Sequence, residues 1–182
     1  MKRLALILLA ICFGLNSQAQ IQTKFWGLEL SSFYYESLET LKNRIADKCQ
    51  YAMVGDNEIS AMNGKFGGYY WDYISFKFYK GEFSRGFHQV YFASNHADYS
   101  SARGKYNNLL ETLVSKYGAP EQPQNSSKRN AANWFSSDRK YACSLSLVGS
   151  DNQGEEKPWT VYIMYADVNL LKLELNKEKD EF

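Results

Sequence analysis

Apolar positions change their period several times along this chain, and each change marks an element. Residues 4–15 form an apolar run of Leu, Ala, Ile, Cys, Phe and Gly, preceded by Lys2 and Arg3 and followed by Asn16-Ser17-Gln18-Ala19. A positive start, an apolar stretch of about a dozen residues and a small-x-small end have the form of a secretory signal cleaved after Ala19. The run is well short of the roughly 20 residues that a membrane-spanning helix needs. Ile11 before Cys12 is too large for the position preceding the acylated cysteine of a lipoprotein.

Beyond Ala19, Phe25-Trp26-Gly27-Leu28-Glu29-Leu30 forms an apolar lead-in of strand-like character. Tyr34, Leu38, Leu41 and Ile45 recur at helical spacing and predict a helix over residues 34–48, with Ser31 or Ser32 as its cap and Glu36 early in it. From Gln50 the period becomes two. Short strands are expected at 51–54 and 59–62, and a long one at 69–79 with Ile74, Phe76 and Phe78 on one side. Lys80-Gly81-Glu82 turns the chain and residues 86–92 return as the second arm of a hairpin. A helix over 98–117 presents Ala102, Tyr106, Leu109 and Leu113 on one broad face, with Asp98 as cap and Gly118 and Pro120 as its stop. Residues 121–133 are polar and predict a long loop, and Trp134-Phe135 begin a strand. Strands follow at 141–148 and 159–165, joined by a loop over 149–158, and a Leu-, Lys- and Glu-rich tail closes the chain.

Leu38-Glu39-Thr40-Leu41 recurs as Leu110-Glu111-Thr112-Leu113, an offset of 72 that also sets strand 141–148 against 69–76 and 159–165 against 87–93. Helix then hairpin, twice, is the pattern of a tandem duplication. The expected organisation is a signal at 1–19, a first α+β repeat at 20–97, a second at 98–167 and a tail at 168–182. The expected fold is α+β in two layers, an antiparallel sheet with helices on one face. The turn between strands 73–79 and 87–92 is too short for a parallel crossover.

Removing residues 1–19 leaves 163 residues and moves the net charge from +1 to −1, because the segment carries two cations and no acid. Near-neutral charge without a dense basic stretch argues against nucleic acid as a partner. Aromatic residues make up 16%, with 14 Tyr and 11 Phe, which suits half-buried sheet faces. Cys49 and Cys143 survive cleavage as a candidate disulfide in an oxidising compartment. Cys143 also alternates with Tyr141, Leu145 and Leu147, the pattern of a buried small hydrophobe.

Chemistry is sparse. His88 and His96 are the two histidines, and no His-x-His, His-x-x-x-His or Cys-x-x-Cys spacing suggests a metal. No cofactor motif and no Gly-x-Ser-x-Gly elbow occurs, and nothing flanking Cys143 marks an activated thiol. Gly64-Lys65-Phe66-Gly67-Gly68 lacks the end of a phosphate loop and leads into a strand, as a hairpin turn does. Asp151, Glu155 and Glu156 lack calcium-loop spacing. With Ile74, Phe76 and Phe78 turned to the helices, Tyr73, Lys77 and Tyr79 point the other way, joined by Phe87, Gln89 and Tyr91, and by Tyr162 and Met164 from strand 159–165. An uncovered face with that many aromatics is a binding surface; residues 168–175 or a second copy of the chain are the alternatives that would cover it.

The lead-in Phe25-Trp26-Gly27-Leu28-Glu29-Leu30, the helix with Leu38 and Leu41, the arm ending Val90-Tyr91-Phe92 and the phrase Lys116-Tyr117-Gly118-Ala119-Pro120 together resemble exported bacterial proteins whose layout is similar to the tandem helix-plus-sheet repeat of the β-lactamase-inhibitor-protein-like fold. The resemblance lies in layout over most of the chain after residue 19, and no residue role carries over. It implies a sheet surface that grips a protein. The expectation is therefore an exported, periplasmic or secreted, non-enzymatic domain that binds a protein or envelope component. The alternatives are a small enzyme whose site assembles only in three dimensions, and a structural homo-oligomer.

Overall fold

The computed structural model describes residues 20–81, 84–125, 129–149 and 159–180, so the expected signal and loop residues 150–158 lie outside the described residues. The chain opens with a small hairpin, β1 (Lys24–Phe25) and β2 (Leu28–Glu29). Trp26 and Gly27 between them both have left-handed φ, 48° and 88°, as a type I′ turn requires. Then come β3 (Phe33–Tyr34), α1 (Leu38–Asn43), a 3-10 turn (Ala46–Lys48), β4 (Gln50–Val54), β5 (Glu58–Phe66), β6 (Tyr69–Lys80) and β7 (Arg85–His96). Helix α2 (Tyr99–Tyr117) leads to β8 (Glu121–Asn125), β9 (Arg129–Phe135), β10 (Tyr141–Val148), β11 (Trp159–Asp167) and α3 (Val168–Asp180). The main sheet is antiparallel, in the order β4-β5-β6-β7-β11-β10-β9-β8, with β3 beside β7. The α+β class and the antiparallel sheet are as expected.

Two predicted elements differ. The first helix begins later, with the Ser37 hydroxyl accepting from the Thr40 amide at 3.2 Å. Ser31 and Ser32 are instead tied by their backbones to Phe87, at 2.9 and 3.0 Å, which keeps residues before 37 extended. The polar stretch expected to be a loop contains β8 and β9, and Trp134 and Phe135 end a strand rather than begin one. β8 is an edge strand and needs few apolar residues. β9 meets the core largely through alanines and Trp134, too little apolar surface to signal a strand.

One row of directly opposed residues crosses the sheet: Ala61, Ile74, Phe92, Ile163, Leu145 and Ala132. All are buried, and all but two of the row's side chains are larger than alanine. They join one core with Leu38 and Leu41 of α1 and Leu109 and Leu113 of α2. Helix α3 does not share this core. Leu171, Glu174 and Leu175 of α3 stand over Lys77 and Gln89, which point away from that core. The reason is local: β11 runs straight into α3, and Asp167 caps it by accepting from the Asn169 and Leu170 amides at 2.9 and 3.0 Å.

The two halves of the sheet correspond in register at an offset of 71. Met53 opposes Ser60 and Gln124 opposes Ala131; Ala61 opposes Ile74 and Ala132 opposes Leu145; Ile74 opposes Phe92 and Leu145 opposes Ile163. Even the register shift between Gln50 and Met53 recurs between Glu121 and Gln124. The offset of 72 suits the helices, where it sets buried Leu41 on buried Leu113. In the strands it would set Ile74 on Ser146, which faces the opposite side.

Candidate functional site

The face of the sheet turned away from α1 and α2 carries most of the residues singled out from sequence, and two of its opposed rows hold the tyrosines that meet there. Met62, Tyr73, Ala93, Tyr162 and Ser146 form one, and Met53, Ser60, Ser75, Tyr91, Met164 and Ser144 the other. Tyr73, Tyr91 and Tyr162 come together, with ring centroids 6.3 Å apart for the first two and 5.2 Å for the last two. Met62 and Met53 are 44% and 58% exposed and extend the row to the sheet edge.

The predicted set needs one correction. Phe87 is not on this face: it is fully buried in the core, its ring 5.3 Å from Phe78 and 5.9 Å from Phe76. The cause is a bulge. Lys77 opposes Gln89, but Phe78 opposes Phe87, so His88 is an extra residue and the faces invert beyond it. Tyr79, opposite Gly86 and past the bulge, makes no ring contact with the other tyrosines.

Lys77 and Gln89 do lie here, beside a polar group that the sequence did not disclose. Glu58, directly opposite Lys77, accepts from Tyr73 Oη at 2.6 Å and from Ser60 Oγ at 2.8 Å, both at Oε1. Burial opposes its ionisation, but the hydroxyls of Tyr73, Ser75 and Ser60 and the charge of Lys77 outweigh burial and hold the carboxyl below its usual range. Burial, followed by the bond to Glu58, pushes Tyr73 up. Burial and the neighbouring Tyr162 and Tyr73 push Tyr91 up.

A cavity of about 510 Å³ opens between this face and α3, lined by Gly55, Asp56, Asn57, Glu58, Ser60, Lys77, Phe78, His88, Gln89, Leu171, Glu174 and Leu175. A recess of about 210 Å³ continues it past Ser75 to Tyr73 and Tyr91. Burial, with the nearby Lys77 ammonium, lowers His88 to about 4 against a smaller pull from the Gly86 backbone and Asp167, so its imidazole is neutral at pH 7. The register could have disclosed Glu58: a Gly67-Gly68 turn pairing Phe66 with Tyr69 places Glu58 opposite Lys77 and Met62 opposite Tyr73. The cavity itself depends on the bulge and on α3, and no periodicity marks either.

The other candidates go elsewhere. Asp98 caps α2, accepting from Ser101 N at 2.8 Å, and His96 Nδ1 lies 2.9 Å from the Ser101 hydroxyl. Cys49 and Cys143 are both free. Cys49 adjoins Gly64 on β5 and Cys143 lies on β10, four strands across. At about 4.8 Å per strand this separation far exceeds the ~7 Å Cα limit of a disulfide. Cys143 is on the core side, opposite to His88, and burial raises its thiol to about 12, which leaves it inert. Among the described residues, no group of three His, Cys, Asp or Glu side chains could hold a metal, and no helix is long and apolar enough to cross a membrane.

The molecule thus defined is an α+β protein with an aromatic and methionine-lined sheet face beside a polar cavity. No family model matches the chain, and comparison with curated proteins and with solved structures found no match.

Proposed function

We propose that this chain is an exported binding domain that holds a protein partner on the sheet face bearing Tyr73, Tyr91 and Tyr162. The observation that carries the proposal is the continuity of that face. Three tyrosines and the methionines Met53, Met62 and Met164 occupy adjacent opposed rows, and α3 stands beside them over Lys77 and Gln89. Tyrosine and methionine are enriched in protein interfaces, and methionine adapts its shape to a partner. The apolar segment 4–15 supports export. The common register offset of 71 and the shared bulge support a duplicated helix-plus-meander unit, and with it the layout of the β-lactamase-inhibitor-protein-like fold.

An enzymatic reading has one observation in its favour, the neutral His88 in a cavity with Glu58 and Glu174. Against it, His88 Nδ1 meets no hydroxyl or thiol, and the Ser60 hydroxyl donates to Glu58 instead. The test is capture of partners from envelope extract by the full chain and by a Tyr73→Ala/Tyr91→Ala/Tyr162→Ala variant of matching circular dichroism. The expected outcome is a partner held by the parent and lost by the variant. Equal capture by both would end the proposal, and a concentration-dependent dimer that the variant abolishes would replace it with self-association.

A further inference from the structure

The cavity beneath α3 has chemistry that a tyrosine- and methionine-lined face does not require. Acceptors converge on it. The Tyr73 and Ser60 hydroxyls both donate to the Oε1 side of Glu58. Asn57 Oδ1 is enclosed and has no partner. His88 is only 3% exposed, lines the cavity, and makes no protein hydrogen bond through its enclosed Nδ1. Asp56 and, from α3, Glu174 make three acidic lining residues with Glu58, against the single ammonium of Lys77, and Leu171 and Leu175 form an aliphatic wall beside these polar groups. Unfilled acceptors, an excess of negative charge and an aliphatic wall are complementary to a donor-rich cation on an apolar stem.

We propose that this cavity is a subsite for a basic side chain, arginine or lysine, presented by the partner that the adjoining face holds; it rests on the reading of that face as a binding surface. The stem lies along Leu171 and Leu175 and the cationic head meets Glu58 and Glu174. Lys77 acts against the ligand, which gives the proposal a sign that a merely sticky cavity would lack.

The probe is N-acetyl-arginine methylamide, titrated into the full chain while the ring resonances of His88 are followed. Only His96 can be confused with it, since the sequence has two histidines. N-acetyl-citrulline methylamide, of the same shape without the charge, is the control. Saturable shifts are expected with the arginine probe and not with citrulline. Glu58→Gln and Glu174→Gln should each weaken binding about 10-fold, the worth of one hydrogen bond to a charged group. Lys77→Gln should tighten it. Equal binding of citrulline, or weaker binding by Lys77→Gln, overturns the subsite. If that happens while partner capture still depends on Tyr73, Tyr91 and Tyr162, the subsite alone falls. If capture does not depend on them, the binding face falls whatever the probe does.

Discussion

A neutral histidine enclosed at a bulge makes this fold sensitive to acid. His88 is held at about 4, below the ordinary 6.5 of an exposed imidazole. Between those values the unfolded chain takes up a proton that the folded chain refuses. Stability contributed by the neutral ring is therefore complete above pH 6.5 and is lost as the pH falls toward 4. Its full size is on the order of 3 kcal/mol. Urea unfolding of the parent and of His88→Gln across pH 7 to 4 should show the parent falling more steeply, and parallel curves would mean that His88 does not carry the effect. The same residue shows where sequence reasoning stops. Tyr73, Gln89, Tyr91 and Tyr162 follow from simple alternation and lie on the expected face. Phe87 does not, because the two-residue period holds only until an extra residue enters, and nothing in Gly86-Phe87-His88-Gln89 announces a bulge.

At the scale of elements, helices and hairpins with strong periodicity were legible and weakly apolar ones were not. Residues 69–79 and 98–117 declare themselves through many large apolar side chains. β8 and β9 are built from polar and small residues, and they become strands because β10 offers a ladder to β9 and β9 offers one to β8. The tail was partly legible: residues 168–175 are one segment expected to cover the aromatic face, and α3 does stand over its Lys77 and Gln89 end, but no periodicity shows how it is anchored. The junction is anchored by Asp167, which is 2% exposed. It caps α3 through two amides and also accepts from the Ser31 hydroxyl, joining the helix to the lead-in strand. Asp167→Ala should cost about 1–2 kcal/mol through the lost cap. It should also speed amide exchange throughout α3 while leaving β10 protected. Uniform loss of protection would show that Asp167 supports the whole core rather than the seat of one helix.

The whole molecule raises the question of whether two units of matching register are also two units of stability. The sheet argues that they are not. β7 and β11 pair over eight residues in the middle of it, and the opposed row from Ala61 to Ala132 crosses that seam without a break. The helix that follows the seam crosses it too. Leu109, Leu113 and Thr112 of α2 share a crevice with Phe66 and Trp71. The Lys105 ammonium lies 4.6 Å from the centre of the Trp71 ring and donates to the Tyr70 carbonyl at 2.7 Å. Without the second half, Phe66 and Trp71 would lose the cover of α2, and β7, deprived of β11, would become an exposed edge bearing unpaired amides and carbonyls. Each large core side chain deprived of its neighbours forfeits about 1.5–3 kcal/mol, a large part of a stability normally near 5–15 kcal/mol. The full chain should therefore unfold in urea as one transition, with coincident fluorescence and circular dichroism curves. A fragment ending at residue 97 should lack dispersed amide resonances alone and acquire them when the fragment beginning at residue 98 is added. A fragment 20–97 that folded alone with a melting transition of its own would show that the seam joins two finished domains rather than completing a single core.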